Sequence, residues 1–411
     1  MIDIKFLREN PEVVQKSSAD KGVEINTNHI LEIDSKYQEL SASVQKLREE
    51  RNRLAKERNI EAGKELKIKL EKEVQALRAV DEELKINLLK IPNIAAADVK
   101  AGKSDQENEI LRKEGEPTKF DFTPKDHLEI GEALDIIDVA RASKVSGTRF
   151  AYIKNEGVLL EFAIVQFALE TLIKEGFIPI VPPALIKKET MQGLGYMENG
   201  GEEDMFWLDK DGMVLVGTAE QSIVPMHKDE IFAKQDLPKR YVGFSSSFRR
   251  EAGSYGKDTK GILRVHQFDK VEMVSFVTAE DDDKEHEFLL SLEEKLWGQL
   301  GIPYQVVKMV TGDLGFPAAR KYDLEAWIPS QNKYREVTST STITNFQARR
   351  LNIKYQDGDE KKYAHTLNGT AFAIGRTIVA ILENYQQIDG SVKVPEILQK
   401  NVGKSVIKVN K

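Results

Sequence analysis

Between residues 30 and 91 apolar side chains recur at alternating intervals of four and three, a spacing that commits the segment to paired helices. Ile33, Tyr37, Leu40, Val44, Leu47 and Leu54 follow it, with Arg51 in the remaining heptad slot. After a break at 59–64, Leu70, Val74, Leu77, Leu84, Leu88 and Ile91 resume it, with Asp81 in one core slot. Two such runs joined by a short turn predict an antiparallel coiled-coil hairpin, whose arms at 1.5 Å per residue would reach about 45 Å. Charge is nearly balanced over 31–90, 14 Lys/Arg against 13 Asp/Glu, as on any solvated coiled coil. Around the tip, 46–72, 10 basic residues face 6 acidic ones, which makes Arg51, Arg53, Lys56 and Arg58 candidate phosphate contacts.

The rest of the chain follows a different pattern. Residues 91–120 are polar and punctuated by Pro and Gly, so the expected organisation is an arm over 1–100, a linker over 101–120 and a second domain over 121–411. A chain of 411 residues agrees with two domains. In the second, 126–145 and 159–177 read as helices. Strands are expected at 240–250, 262–277, 304–311 and 322–337, around a helix at 281–300. This is an α+β pattern with an antiparallel sheet. The double proline in IPIVPPALI, 178–186, keeps that run out of the centre of a sheet.

Composition removes several function classes. Cysteine is absent, so disulfides, thiolate zinc sites and cysteine nucleophiles are excluded. The six histidines form no HxxxH or HxH pair. A formal charge of −7 confines any nucleic-acid contact to local patches. No apolar run reaches the ~20 residues of a membrane helix. The first residues lack the pattern of a signal or transit peptide, so a cytoplasmic protein is expected. No GxGxxG or GxSxG occurs, and Gly253-Ser-Tyr-Gly256-Lys257 lacks the spacing of a P-loop.

The segment with most chemistry is FRREAGSYGKDTKGILRVHQFDKVEM, 248–273, read as strand, loop and strand. Period two places Arg249 and Glu251 on one face, and Arg264, His266, Phe268, Lys270 and Glu272 on another. Phe268 and Glu272 are then about 13 Å apart, enough to hold an aromatic base at one end and an ammonium at the other. The loop carries Gly253, Gly256 and Gly261 among Arg250, Lys257, Lys260 and Arg264, a basic tip suited to phosphate or RNA. Taken alone, FRRE also reads as a solvated strand end and Phe268 as a core aromatic.

This segment resembles motif 2 of the class II aminoacyl-tRNA synthetases, and in wording that of the seryl-tRNA synthetase family. GTAEQSIVP, 217–225, resembles that family's serine-binding element, although Thr and Glu at that spacing also suit a helix N-cap. REVTSTSTITNFQARR, 335–350, resembles its metal and ATP segment, and HTLNGTAFAIGRTIVAILENYQ, 365–386, its motif 3. Residues 178–186, with Pro182, resemble motif 1, and the hairpin resembles the family's tRNA-binding arm.

The resemblance implies a homodimer that joins ATP and L-serine into seryl-adenylate and passes serine to tRNA(Ser), and to tRNA(Sec) where that tRNA exists. It implies that Arg249 clamps the α-phosphate and the serine carboxylate and that Glu251 positions the adenine amino group. Phe268 and Arg376 would sandwich the base, with Val265, Val337 and Thr338 completing the ATP site. Glu336 and Ser339 would hold Mg²⁺. Thr218, Ala219, Glu220, Glu272 and Thr370 would form the serine pocket, with Glu272 at the ammonium and Thr370 at the hydroxyl. Arg249, Glu272 and Arg376 would be the catalytic set. Glu336 and Ser339, three apart, do not share one face of an ideal strand, so a bulge or a turn is required between them. Two other readings share these residues: a paralogue that loads a carrier protein, and a non-catalytic RNA-binding protein.

Overall fold

The computed structural model describes residues 1–253, 256, 258 and 260–408, which fall into two units, 1–94 and 95–411. Lys257 of the basic loop lies outside the described residues.

In the first unit, short helices α1 (Ile4–Glu9) and α2 (Pro11–Asp20) precede two long ones, α3 (Thr27–Lys56) and α4 (Ile60–Leu89). Both long helices start at an asparagine cap: the Asn26 side-chain Oδ1 accepts from the His29 amide at 3.0 Å, and Oδ1 of Asn59 from the Ala62 amide at 3.3 Å. The turn between them is Glu57–Asn59, with Arg58 at φ 54°. The break is therefore shorter than the expected 59–64. The Asn59 cap restarts the helix at once, which adds Leu66 to the seam of Val44, Leu47, Leu54 and Leu70. At the other end, Leu7 and Val14 pack with Ile30, Ile33, Val80, Leu84 and Leu88. The polar heptad slots Arg51 and Asp81 are exposed.

The second unit is built on a sheet that has eight strands among the described residues: β1 (Glu109–Glu114), β2 (Ile178–Ile180), β3 (Lys239–Phe248), β4 (Gln267–Val277), β5 (Tyr304–Lys308), β6 (Arg320–Ile328), β7 (Lys333–Thr344) and β8 (His365–Ala373). Their order is β1-β5-β6-β7-β8-β4-β3-β2, antiparallel except for the β2–β3 pair. Helices α5 (Glu156–Lys174), α6 (Asp282–Leu300) and α7 (Ile374–Asn384) join the sheet in one apolar core that includes Leu160, Trp297, Phe372 and Ile378.

Four expectations need correction. Part of the 101–120 linker is an edge strand: β1 pairs with β5 from Glu109↔Lys308 to Glu114↔Tyr304. All six of its side chains are exposed, so it carries no apolar alternation to announce it. The run 322–337 is two strands, β6 and β7, separated by a turn at Pro329–Gln331. The strand expected from 262 begins at Gln267, and β3 ends at Phe248, so Arg249, Glu251, Arg264 and His266 lie in the connection and not on the strands. The 126–145 helix is two short ones, His127–Ala133 and Val139–Ser146, divided by Asp135 at φ 56°.

Candidate active site

The β4 strand sets the frame. Its pleat puts Phe268, Lys270 and Glu272 on one face, with Glu272 opposite Gly243 of β3 and Thr370 of β8. A side chain at Gly243 would come within 2.6 Å of Ile223 and 3.0 Å of Ala219, so glycine there lets the Glu220–Ile223 turn approach the sheet. That contact brings the 217–225 element beside β4.

The second frame is a bulge in β7. Leu324 pairs with Thr338 and Glu325 with Glu336, leaving Val337 as an extra residue. Val337 and Thr338 are both buried, while Glu336 and Ser339 come to one cleft. The irregularity that a spacing of three requires is thus built into this strand.

Two adjoining clefts result. The first, about 560 Å³, is walled by Glu251, Val265, Phe268, Val337, Thr338, Thr370 and Arg376. The second, about 1080 Å³, is walled by Tyr196, Thr218, Glu220, Glu272, Lys321 and Asn368. Arg249, Lys270, Glu336 and Ser339 line both and mark the junction. Ala219 lines neither. It is fully buried in an apolar cluster with Ile223 and Val274, and the helical turn points its methyl at the sheet.

The Arg249 guanidinium lies 5.5 Å from the Phe268 ring centroid, and its Nε donates to the Gly217 carbonyl at 3.3 Å. His266 is structural: its Nδ1 is 3.0 Å from the Arg249 carbonyl oxygen. Glu251, at φ 55°, accepts from Arg264. Arg376 pairs with Glu336 at 3.2 Å. Burial alone would push the Glu336 carboxyl up, but Arg376, Lys321 and Arg249 outweigh it and hold it well below the usual range.

The second cleft is electrostatically different. Burial pushes the Glu220 carboxyl up to about 7, against hydrogen bonds from Gln347 at 2.8 Å and from the Tyr196 hydroxyl at 2.9 Å. Glu272 instead has a cation: Lys270 Nζ is 2.5 Å from its Oε2, and the Thr370 hydroxyl donates to the same oxygen at 3.2 Å. Behind the bulge the Thr338 hydroxyl donates to Glu293 of α6 at 2.7 Å, and burial drives that carboxyl far above its ordinary range.

Sequence reasoning missed Lys270, Tyr196, Lys321, Gln347 and Glu293. Lys270 was within reach, since period two puts it between Phe268 and Glu272. The others lie on distant segments and have no local pattern. In the first unit Arg51, Arg53, Lys56 and Arg58 are all exposed toward the end of α3 and its turn.

The family described as the tRNA synthetase class II core domain (G, H, P, S and T) matches residues 206–385, and the seryl-tRNA synthetase N-terminal domain matches 1–95. Over 425 residues the chain is 42% identical to a serine-tRNA ligase of Dictyoglomus turgidum, covering 100% of both chains. To one from Acidothermus cellulolyticus it is 45% identical over 420 residues, 99% of each. The crystal structure of seryl-tRNA synthetase from Pyrococcus horikoshii complexed with ATP superposes with a TM-score of 0.93 at 37% identity, covering 100% of both chains. The cytoplasmic serine-tRNA ligase from Naegleria fowleri in complex with AMP superposes at 0.91 and 31% identity, covering 100% of this chain and 99% of that one.

Proposed function

The chain belongs to the seryl-tRNA synthetase family, and from that premise we propose how its residues divide the work of joining serine to tRNA. The observation that carries the assignment is the junction: two clefts of different character meet at Arg249, Lys270, Glu336 and Ser339. The first takes ATP, with the base between Phe268 and Arg376 and its amino group at Glu251. The second takes L-serine.

At the junction a serine carboxylate oxygen attacks the α-phosphorus, and the bond from phosphorus to the bridging oxygen of pyrophosphate breaks. Arg249 neutralises charge there, and because the carboxylate is already a nucleophile, positioning supplies the rate. In the second step a terminal tRNA hydroxyl attacks the seryl carbonyl carbon, and AMP leaves.

Within the serine cleft the contacts favour an assignment different from the expected one. Glu272 is already paired with Lys270, so we assign it, with Thr370, to the substrate hydroxyl. Glu220, whose hydrogen-bond partners Tyr196 and Gln347 are neutral, takes the ammonium together with Thr218.

A Mg²⁺ ion fits Glu336 and Ser339, an ionised carboxylate and a hydroxyl lining one cleft. Hard oxygen donors suit it, and it ordinarily takes only one or two protein ligands beside phosphates and water. The ion would supply charge neutralisation on the phosphates. Among the described residues no cluster of three His, Cys, Asp or Glu offers a fuller cage.

We further propose a homodimer, supported by apolar side chains exposed along α5 and at β2 and the residue that follows it, Leu159, Phe162, Ile173, Ile178 and Val181. The exposed basic tip of the α3–α4 hairpin supports a contact with tRNA. No described helix is long and apolar enough to cross a membrane.

The test is ATP–pyrophosphate exchange with L-serine and Mg²⁺, followed by charging of tRNA(Ser) and of tRNA(Sec). Exchange far weaker with alanine and threonine than with serine is expected. Exchange without any tRNA charging would turn the reading to the carrier-protein paralogue, and no exchange at all to the non-catalytic protein.

A further inference from the structure

Lys270 is given no substrate contact in the roles above, yet it is one of the buried cations of the second unit. It is 7% exposed and lines both clefts. Its ammonium touches Glu272 at 2.5 Å and donates to the Thr218 hydroxyl at 3.2 Å, so one side chain ties the 217–225 element to the middle of β4. Its neighbours across the sheet are small, Ser245 on β3 and Ala373 on β8, and offer it no second charge. Glu272 itself is 1% exposed.

We propose that Lys270 determines amino-acid specificity by holding Glu272 as an ionised, acceptor-only group aimed at the substrate side chain. The proposal rests on the reading of Glu272 as the hydroxyl partner. Lys270 and Thr370 both contact Oε2, and Oε1 is the acceptor assigned to the substrate. An ionised carboxylate has no proton to give, so it demands a donor from the ligand. Serine provides one. Alanine does not, and would leave Oε1 of this buried carboxylate without a donor, which is how a pocket of this kind achieves strong rejection. Without Lys270 the same carboxylate would be a buried charge lacking its partner, costly to keep in place.

Lys270→Met, Lys270→Gln and Lys270→Arg, each checked for a folded state by thermal melting, are compared with wild type in exchange assays with serine, alanine and ATP varied separately. For Lys270→Met the KM for serine should rise about tenfold or more and the serine-over-alanine preference in kcat/KM should fall by a similar factor, with the KM for ATP unchanged. Lys270→Arg should keep more of the preference, and added methylammonium should restore part of it to the Met variant. Should Lys270→Met fail to fold, Lys270→Gln carries the same comparison. A folded variant with the serine KM and preference of wild type overturns the proposal, provided Glu272→Gln loses both; so does a fall in kcat alone, which would place Lys270 at the phosphate. If Glu272→Gln keeps the preference for serine, the pocket reading itself has failed.

Discussion

Arg376, the third residue of α7, places Nη1 3.2 Å from the Glu336 carboxylate and 3.0 Å from the carbonyl oxygen of the same residue. One guanidinium thus fixes both the side chain and the backbone of the residue that precedes the β7 bulge. The cleft that would take the base and the edge that would take the metal share a wall because of this contact.

Arg376→Ala should therefore affect both. Serine-dependent exchange is expected to fall and the KM for ATP to rise, since the base loses one of its two stacking partners and Glu336 loses its cation. Glu336→Gln should shift the Mg²⁺ concentration needed for half-maximal exchange upward. Titrating MgCl₂ in both variants decides the matter, and unchanged Mg²⁺ dependence in Glu336→Gln would remove the residue from the metal site.

Glu220 gives a pH dependence with a definite sign. Its carboxyl rises from the ordinary 4.5 to about 7 through burial, so the folded protein binds this proton more tightly than the unfolded chain. The resulting cost to stability is absent below 4.5, grows as pH rises, and is complete above about 7. Melting temperatures of wild type and Glu220→Gln should diverge across that window. If the ionised form binds the serine ammonium, the KM for serine should also fall as pH rises through 7, and this slope should vanish in the variant.

Burial drives the Glu293 carboxyl well above its ordinary range, which favours the protonated form. Glu293→Gln preserves an acceptor for the Thr338 hydroxyl and should melt near wild type. Glu293→Ala strands that buried hydroxyl and should lose about 1 to 3 kcal/mol in denaturant titrations. Its Mg²⁺ dependence should shift too if Thr338 positions the bulge.

Replacing residues 46–72 by a short turn should leave serine-dependent exchange nearly unchanged and raise the KM for tRNA strongly. Charge reversals at Arg51, Arg53, Lys56 and Arg58 should weaken tRNA binding in a salt-dependent way, as phosphate contacts do. A truncated protein that charges tRNA as well as the full chain would make the hairpin purely structural.

Light scattering at micromolar concentration should give twice the chain mass of 46.5 kDa. Charged substitutions at Phe162 and Val181, which are 60% and 78% exposed, should shift the protein toward monomer. A wild-type monomer would refute the dimer.

The sequence alone determined whatever is periodic or local. Heptad spacing specified the hairpin, and period two set Phe268, Lys270 and Glu272 on one face. The motif wording specified the family, because those residues are close in the chain and their types are restricted by chemistry. Only the tertiary structure decided contacts between distant segments. It showed that β1 is an edge strand, since backbone pairing with β5 needs no side-chain pattern. It also turned the Ala219 methyl into the core, placed Val337 as the unpaired bulge residue, and gave Glu272 a lysine partner while leaving Glu220 buried among neutral donors. Those outcomes depend on which strands lie side by side and which carboxylate a cation can reach. Long-range packing sets both, and no window of sequence contains them.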